Sequence, residues 1–311
     1  MRHLSLSPTT NSERRLAALA HAAVLLPGWG LLVPTALWAA HPRRGDYLSF
    51  QSLQALTYQV AQLIVLAVLG VGLGGLYAGG AILLSLLSAF VSQDVSSGLF
   101  VLANIFFFGS LAAAWGLLTL GGVIAAILCL SGQDVRYPLL GERLERALLT
   151  EATSEIAPTL HPEREARWMA ALTYAGVLIN LYGWLIPLIV WLTQKERSAL
   201  LRFQALQSFV YQAIGNLVLF FLNLMLAATV FPLIFLLALV ESTAAHWVPF
   251  FLVPYGLLVL GTLAFSLLYT VVGLWAGLRL AQGHEVTLPG LGHWLRRRLH
   301  IPASASGGLH A

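Results

Sequence analysis

FQSLQALTYQ at Phe50–Gln59 returns as FQALQSFVYQ at Phe203–Gln212. The offset is 153 residues, and it aligns residues 14–59 with 167–212 without a gap, 19 of the 46 positions being identical. Arg14 meets Arg167, Gly30 meets Gly183, Pro34 meets Pro187 and Trp38 meets Trp191. Further along, GQDVRYPLLG (Gly132–Gly141) resembles GHEVTLPGLG (Gly283–Gly292) at an offset of 151. Self-similarity of this length marks the duplication of a whole structural unit. The boundaries that follow are an N-terminal tail at 1–13, membrane module 1 at 14–141 and a charged linker at 142–163. Membrane module 2 occupies 164–292, and residues 293–311 form a basic tail expected to end in disorder.

Composition sets the solvent. Hydrophobic residues make up 58% of the 311 and charged residues 10%, with a mean hydropathy of +0.80. A soluble domain carries about 25% charged residues. A chain this apolar cannot cover a water-facing surface, so lipid is its solvent. Cys129 is the single cysteine, which excludes an internal disulfide and a cysteine-based metal site. Leu16–Ala40 follows Arg14 and Arg15 as a signal peptide would, but its copy in mid-chain identifies it as part of the module.

Each module contains three apolar blocks, at 16–40, 50–91 and 99–131 and again at 168–193, 203–240 and 247–281. One membrane-spanning helix takes about 20 residues. The first block is interrupted in both copies, by Pro27, Gly28, Gly30 and Pro34 and by Gly183 and Pro187. Proline and glycine disrupt helix interiors. Arginines flank the first block and follow the third, whereas Asp94 and Glu241 mark the stretches between the second and third blocks. The positive-inside rule places the basic stretches, and both termini, in the cytoplasm. Two threadings are open. The first block either enters and returns as a broken helical hairpin, or crosses once as a kinked helix and puts Arg43 and Arg44 outside. Gly70, Gly72, Gly74, Gly75, Gly79 and Gly80 suggest a break or a close-packing site in the long second block. The fold class is therefore all-α: a polytopic helical membrane protein of two tandem modules. Each has a broken hairpin plus two long transmembrane helices, with six to eight apolar helices in total.

The strongest polar signal lies at the start of the second block. At helical spacing Gln51, Gln54, Tyr58 and Gln62 share one face, with Gln59 at its margin. The copy keeps Gln204, Gln207, Tyr211 and Gln212 and adds Asn216. Such residues either bond a neighbouring or broken helix, or line a polar groove. The deep segments carry no Asp, Glu or Lys, which argues against a proton-coupled pump and against acid–base catalysis within the membrane. Glu142, Arg143, Glu145 and Arg146 read as the solvated face of a linker helix, and His21, replaced by Tyr174 in the copy, as a packing residue. The nine histidines show no metal-ligand spacing, and no nucleophile or phosphate-binding motif is present. No cofactor, metal or nucleic acid is expected. Trp38, Trp168, Trp191 and Trp294 adjoin basic clusters, as interfacial anchors do.

The order of these features resembles the Tic-twenty-like family of bacterial integral membrane proteins of unknown function, distantly related to a channel-forming subunit of the chloroplast inner-envelope translocon. The matching residues are Glu13-Arg14, Ala18–His21, Trp38, Phe50–Gln59 and Gly132–Pro138. Arg167, Trp191, Phe203–Gln212 and Gly283–Pro289 repeat them. The resemblance implies a multi-pass protein of the bacterial inner membrane without catalytic residues. The sequence thus points to a non-enzymatic accessory, assembly or conduit component with a possible protein partner in the bilayer. The alternative is a passive transporter or channel for a small polar or amphipathic solute.

Overall fold

A computed structural model describes residues 6, 10–40, 46–87, 90, 92–150, 159–179, 181–239 and 248–299, with the side chains at 232–239, 248–251 and 299 outside the description. The basic loop with Arg43 and Arg44, Asn180, Glu241, His246 and the end of the C-terminal tail lie outside the described residues. The chain divides into two compact units, Met1–His161 and Pro162–Ala311, each all-helical among its described residues.

In the first unit, α1 (Asn11–Ala22) begins at Thr10, whose hydroxyl accepts from the Glu13 backbone N–H while the Glu13 carboxylate accepts from Thr10 N–H. This reciprocal cap satisfies two helix-end donors at once. The helix stops in a 3-10 turn at Ala23–Leu25, a second such turn follows at Trp29–Leu31, and α2 (Leu32–Ala40) leads back. Pro34 sits in the first turn of α2, where a missing N–H costs nothing. Gly30 is required by close approach: its N–H donates to Leu26 O at 2.8 Å, and a Cβ would collide with the Ala23 carbonyl. The first block is thus two short helices around a break.

The long helices α3 (Asp46–Leu87) and α4 (Gln93–Leu130) form an antiparallel pair. The 42 residues of α3 span about 63 Å, twice the roughly 30 Å of a bilayer core. α1 packs between α3 and α4, and α2 lies on α3. That packing occupies one end only. The buried residues of α3 run from Tyr47 to Gln62 and those of α4 from Thr119 to Cys129, and the remainder is an exposed apolar pair. The closing segment 131–139 then crosses the base, and α5 (Leu140–Leu148) packs against α3. Leu149 pairs with Leu160, and Leu160 N–H reaches Asp46, so the described part of the linker folds back on this unit.

The second unit repeats the plan with α6 (Pro162–Tyr174), a 3-10 turn at Ala175–Leu178, α7 (Leu185–Gln194), α8 (Ala199–Leu239), α9 (Val248–Ala281) and α10 (Leu291–Leu299). Among the described residues four helices are long and apolar enough to cross a membrane: Asp46–Leu87, Gln93–Leu130, Ala199–Phe231 and Leu252–Ala281. Two differences from the sequence reading stand out. The glycines of α3 do not break it and barely pack it: the helix runs through, Gly74 meets only Phe107 of α4, 3.9 Å from where a Cβ would stand, and Gly70, Gly72, Gly75, Gly79 and Gly80 have no atom within 4 Å of that point. A continuous hydrogen-bonded helix satisfies its own backbone in lipid, so these glycines are tolerated. Trp38, expected at the interface, is 1% exposed and belongs to the core.

Candidate functional site

The glutamines of the repeat are all turned into their own module. In module 1, Gln54 Nε2 donates to Val135 O at 3.0 Å and Gln51 Nε2 to Asp134 Oδ1 at 2.8 Å, tying α3 to the closing segment. Gln59 Nε2 donates to Ala20 O at 3.1 Å, where the last turn of α1 leaves carbonyls without helical partners. Gln62 Nε2 donates to Thr119 Oγ1 at 3.3 Å, and Tyr58 OH to Leu118 O at 2.5 Å, both on α4. Module 2 repeats the clamp at the closing segment, the hairpin and the tyrosine, while Gly215 stands in place of Gln62 and leaves the bond to Thr119 without a counterpart. Gln204 and Gln207 donate to Val286 O, Gln212 to Thr173 O, and Tyr211 OH to Tyr269 O. Asn216 departs from the pattern. Its Oδ1 accepts from Leu181 N–H at 3.0 Å, bracing the hairpin break directly. The break residues Pro27, Gly28, Gly30 and Pro34, with Gly183 and Pro187 in the copy, shape the two turns that these amides hold.

A second set of residues converges on the base of module 1. His21 Nδ1 lies 2.8 Å from Tyr137 OH and His21 Nε2 lies 3.0 Å from Gln51 Oε1. Gln51 passes the chain to Asp134, which also accepts from Leu6 N–H and pairs with Arg136 at 2.8 Å. The Arg136 guanidinium lies 3.6 Å from Glu145 and 4.1 Å above the Phe50 ring. Burial pushes the Asp134 carboxyl up from its ordinary range, and the Arg136 charge pulls it part of the way back. Burial likewise lowers Arg136, against the pull of its two carboxylates.

Glu145 is therefore an internal partner and not part of a solvated face, although Glu142, Arg143 and Arg146 are exposed. His21 packs as expected and also bridges α1 to the closing segment. The sequence reading missed this network because its members come from five separated segments. The available signal was the coupled change between copies, since His21/Tyr137 become Tyr174/Leu288 and Arg136/Glu145 become Thr287/Arg296.

Two apolar cavities accompany these networks. One of about 100 Å³ lies at the hairpin tip between Pro27, Gln59, Gln62 and Trp115. One of about 290 Å³ separates α3 from α4 near Tyr77, Leu84 and Phe100. No carboxylate, histidine or lysine lines either. Among the described residues no three His, Cys, Asp or Glu side chains come together as metal ligands. The arrangement ties a broken hairpin to a helix pair, and its titratable groups face one another instead of an open cavity.

The sequence model of the MamF/MmsF family, described as a magnetosome magnetite crystal formation protein family, matches residues 12–144 and again 165–295. No curated protein and no solved structure matches the chain. This finding overturns the resemblance to the Tic-twenty-like family. Glu13-Arg14, Phe50–Gln59, Gly132–Pro138 and their copies all fall inside the two matched segments. Those motifs build a capped helix, a glutamine clamp and a closing turn, which a membrane hairpin of this kind needs whatever its lineage.

Proposed function

The chain belongs to the MamF/MmsF family, and on that premise we propose that it is a non-enzymatic assembly component of a membrane in which magnetite crystals form. The observation that carries this reading is the use made of the polar residues. Every glutamine of the repeated face donates within its own module, and the titratable groups at the base of module 1 pair with one another. A site for acid–base chemistry needs such groups within reach of a substrate. What each module offers outward is apolar helix for lipid and a basic base, with Arg143, Arg146, Arg297 and Arg298 exposed. In this reading both termini and all basic stretches lie in the cytoplasm, and the hairpins enter and return on that side. A protein partner in the same membrane completes the assembly role.

Deletion of the gene tests the role. The expected result is membrane-bounded crystals of altered size or shape by electron microscopy, restored by the intact chain and by a Gln54→Leu/Gln207→Leu form that still inserts. Crystals unchanged on deletion sink the assembly reading, and loss of solute flux in vesicles carrying the double variant would favour a conduit. A cysteine introduced at Arg44 tests the threading: labelling from outside intact cells overturns the cytoplasmic hairpin.

A further inference from the structure

Each module is thick at one end and thin at the other. In module 1 the hairpin reaches its tip beside Gln59, Gln62 and Leu66 of α3, so from Tyr47 it extends about 22 Å along that helix. A bilayer with its headgroups is about 40–45 Å thick, so this depth corresponds to one leaflet. Within that leaflet the module presents α1, α2, α3 and α4, and beyond it only α3 and α4. Each helix is about 10–12 Å across, so the difference is roughly 200 Å² per module.

Side-chain size exaggerates it. At the thick end Gly122 admits Val24 of the hairpin against α4. At the thin end Gly70, Gly72, Gly75, Gly79 and Gly80 of α3 and Gly98 and Gly109 of α4 face open space, which narrows the pair further. Module 2 follows suit. Among the described side chains of α8 burial stops at Leu219, Val177 of the hairpin packs with Leu219 and Tyr269, and Gly256 and Gly261 at the other end of α9 face open space. In both modules the thick end is the basic end: Arg14, Arg136 and Arg143 lie there in the first, and Arg167, Arg202 and Arg296 in the second.

We propose that each module is a membrane wedge, and that the protein partitions to curved bilayer with its thick, basic ends in the convex leaflet. The surplus section expands that leaflet relative to the other, and the sign of preferred curvature follows. Like charge at both thick ends makes the two modules act in the same sense. The excess length of the thin helix pair is taken up by tilt or by local thickening, which has no preferred sign of curvature. The direction relative to the cell rests on the topology proposed above and makes the cytoplasmic face convex, whereas the wedge itself does not depend on it.

The test uses the full chain in giant vesicles of phosphatidylcholine and phosphatidylglycerol, with a dye on Ser306→Cys in a Cys129→Ala background. A membrane-impermeant quencher assigns each population to thick-end-out or thick-end-in. Tubes pulled outward from these vesicles should concentrate thick-end-out molecules several-fold over the flat membrane and deplete the opposite orientation. Equal density on tube and flat membrane overturns the wedge, and so does equal enrichment of both orientations, which would report tilt alone. Gly72→Leu, Gly75→Leu and Gly79→Leu together widen the thin end without touching the packed base, and leucine is the better helix former. This variant should lose up to about half of the sorting, since module 2 keeps its own wedge, and retention of full sorting would also overturn the proposal. A wild-type chain that fails to sort while its deletion still alters crystals would sink the wedge and leave the assembly role standing.

Discussion

The bases of the two modules solve one problem with their charges transposed. In module 1 a guanidinium from the closing segment, Arg136, lies over Phe50 between Asp134 and Glu145. In module 2 the guanidinium comes from the following helix. Arg296, at the place of Glu145, lies 5.1 Å above Phe203 and pairs with Glu285 at 3.2 Å, while Thr287 stands where Arg136 was. A second transposition sits beside it. His21 and Tyr137 give way to Tyr174 and Leu288, and the Tyr174 hydroxyl alone joins Gln204 and Gln207. What is held constant is the bond to the closing-segment carbonyl, Val135 or Val286, and the cation over the phenylalanine. The origin of each polar group is free to move provided its partner moves with it.

The charged pair gives the largest expected effect. Arg136→Thr leaves Asp134 and Glu145, with side chains 14% and 10% exposed, without their cation. Removing one member of a buried pair costs about 3–5 kcal/mol. Arg296→Ala faces a Glu285 side chain that is 36% exposed and takes up water, so the loss there is below about 1 kcal/mol. Adding Glu145→Arg to Arg136→Thr reproduces the module 2 arrangement and should recover most of the loss. Thermal unfolding in detergent checks all three, and a double variant no better than Arg136→Thr would break the comparison. The single variant also carries a pH signature. Without Arg136, the folded-state pKa of Asp134 rises further above its unfolded value. The fold then binds a proton more tightly than the unfolded chain does, and stability falls as pH rises through the folded-state pKa. The deficit of Arg136→Thr therefore shrinks in mildly acidic buffer.

The histidine–tyrosine exchange ranks next. His21→Ala leaves Tyr137 OH and Gln51 Oε1 without their buried partner, at about 2–3 kcal/mol. His21→Tyr alone brings a second phenol against Tyr137, whereas His21→Tyr with Tyr137→Leu imports the solution of module 2 and should come within about 1 kcal/mol of the wild type. An unfolding midpoint for the pair as low as for His21→Ala would show that the two bases are not interchangeable.

These pairs mark where the sequence stops being legible. Pro27, Gly30 and Pro34 announced the break, because backbone chemistry is local and its signals sit where they act. The glutamine face was visible for the same reason, at helical spacing on one element, although nothing local said whether it turns inward. The glycines of α3 were misread, since glycine costs a long helix little when its backbone bonds close within the helix. His21, Asp134, Arg136 and Glu145 were individually unremarkable. Only the fold brings their segments together, and only the second copy shows that they change in pairs.

Features common to both modules should respond alike. Gln59→Leu and Gln212→Leu each remove the donor to a hairpin carbonyl, Ala20 O or Thr173 O. Each loss amounts to about 1–2 kcal/mol, and the two variants should shift the unfolding midpoint by similar amounts, with Gln212→Leu slightly the larger because Gln212 also donates to Ser208 Oγ at 2.9 Å where module 1 has Ala55. A shift in one module more than twice that in the other would show that one hairpin is held mainly by something else.

The smallest effect concerns the backbone, and it sharpens the comparison most. Gly28 at φ +75° corresponds to Leu181 at φ +79°, and Leu139 at φ +65° to Gly290 at φ +71°. Each module thus carries one leucine in the left-handed region where its twin carries glycine. Such a conformation costs a non-glycine residue about 1–2 kcal/mol. Leu181 and Leu139 are 70% and 80% exposed, so replacing either with glycine gives up little packing within the protein. Leu139→Gly should therefore stabilise by somewhat under about 1 kcal/mol, once the greater freedom of glycine in the unfolded chain is subtracted. Leu181→Gly should gain no less, because the Asn216 bond to the residue 181 N–H survives the change. If that bond is what makes leucine tolerable in module 2, Gly28→Leu in module 1 should be costly alone and milder with Leu63→Asn, which supplies the equivalent amide. Midpoints from the four variants decide it: no difference between Gly28→Leu with and without Leu63→Asn would mean that the break holds its shape through the turn and the Gln59 clamp alone.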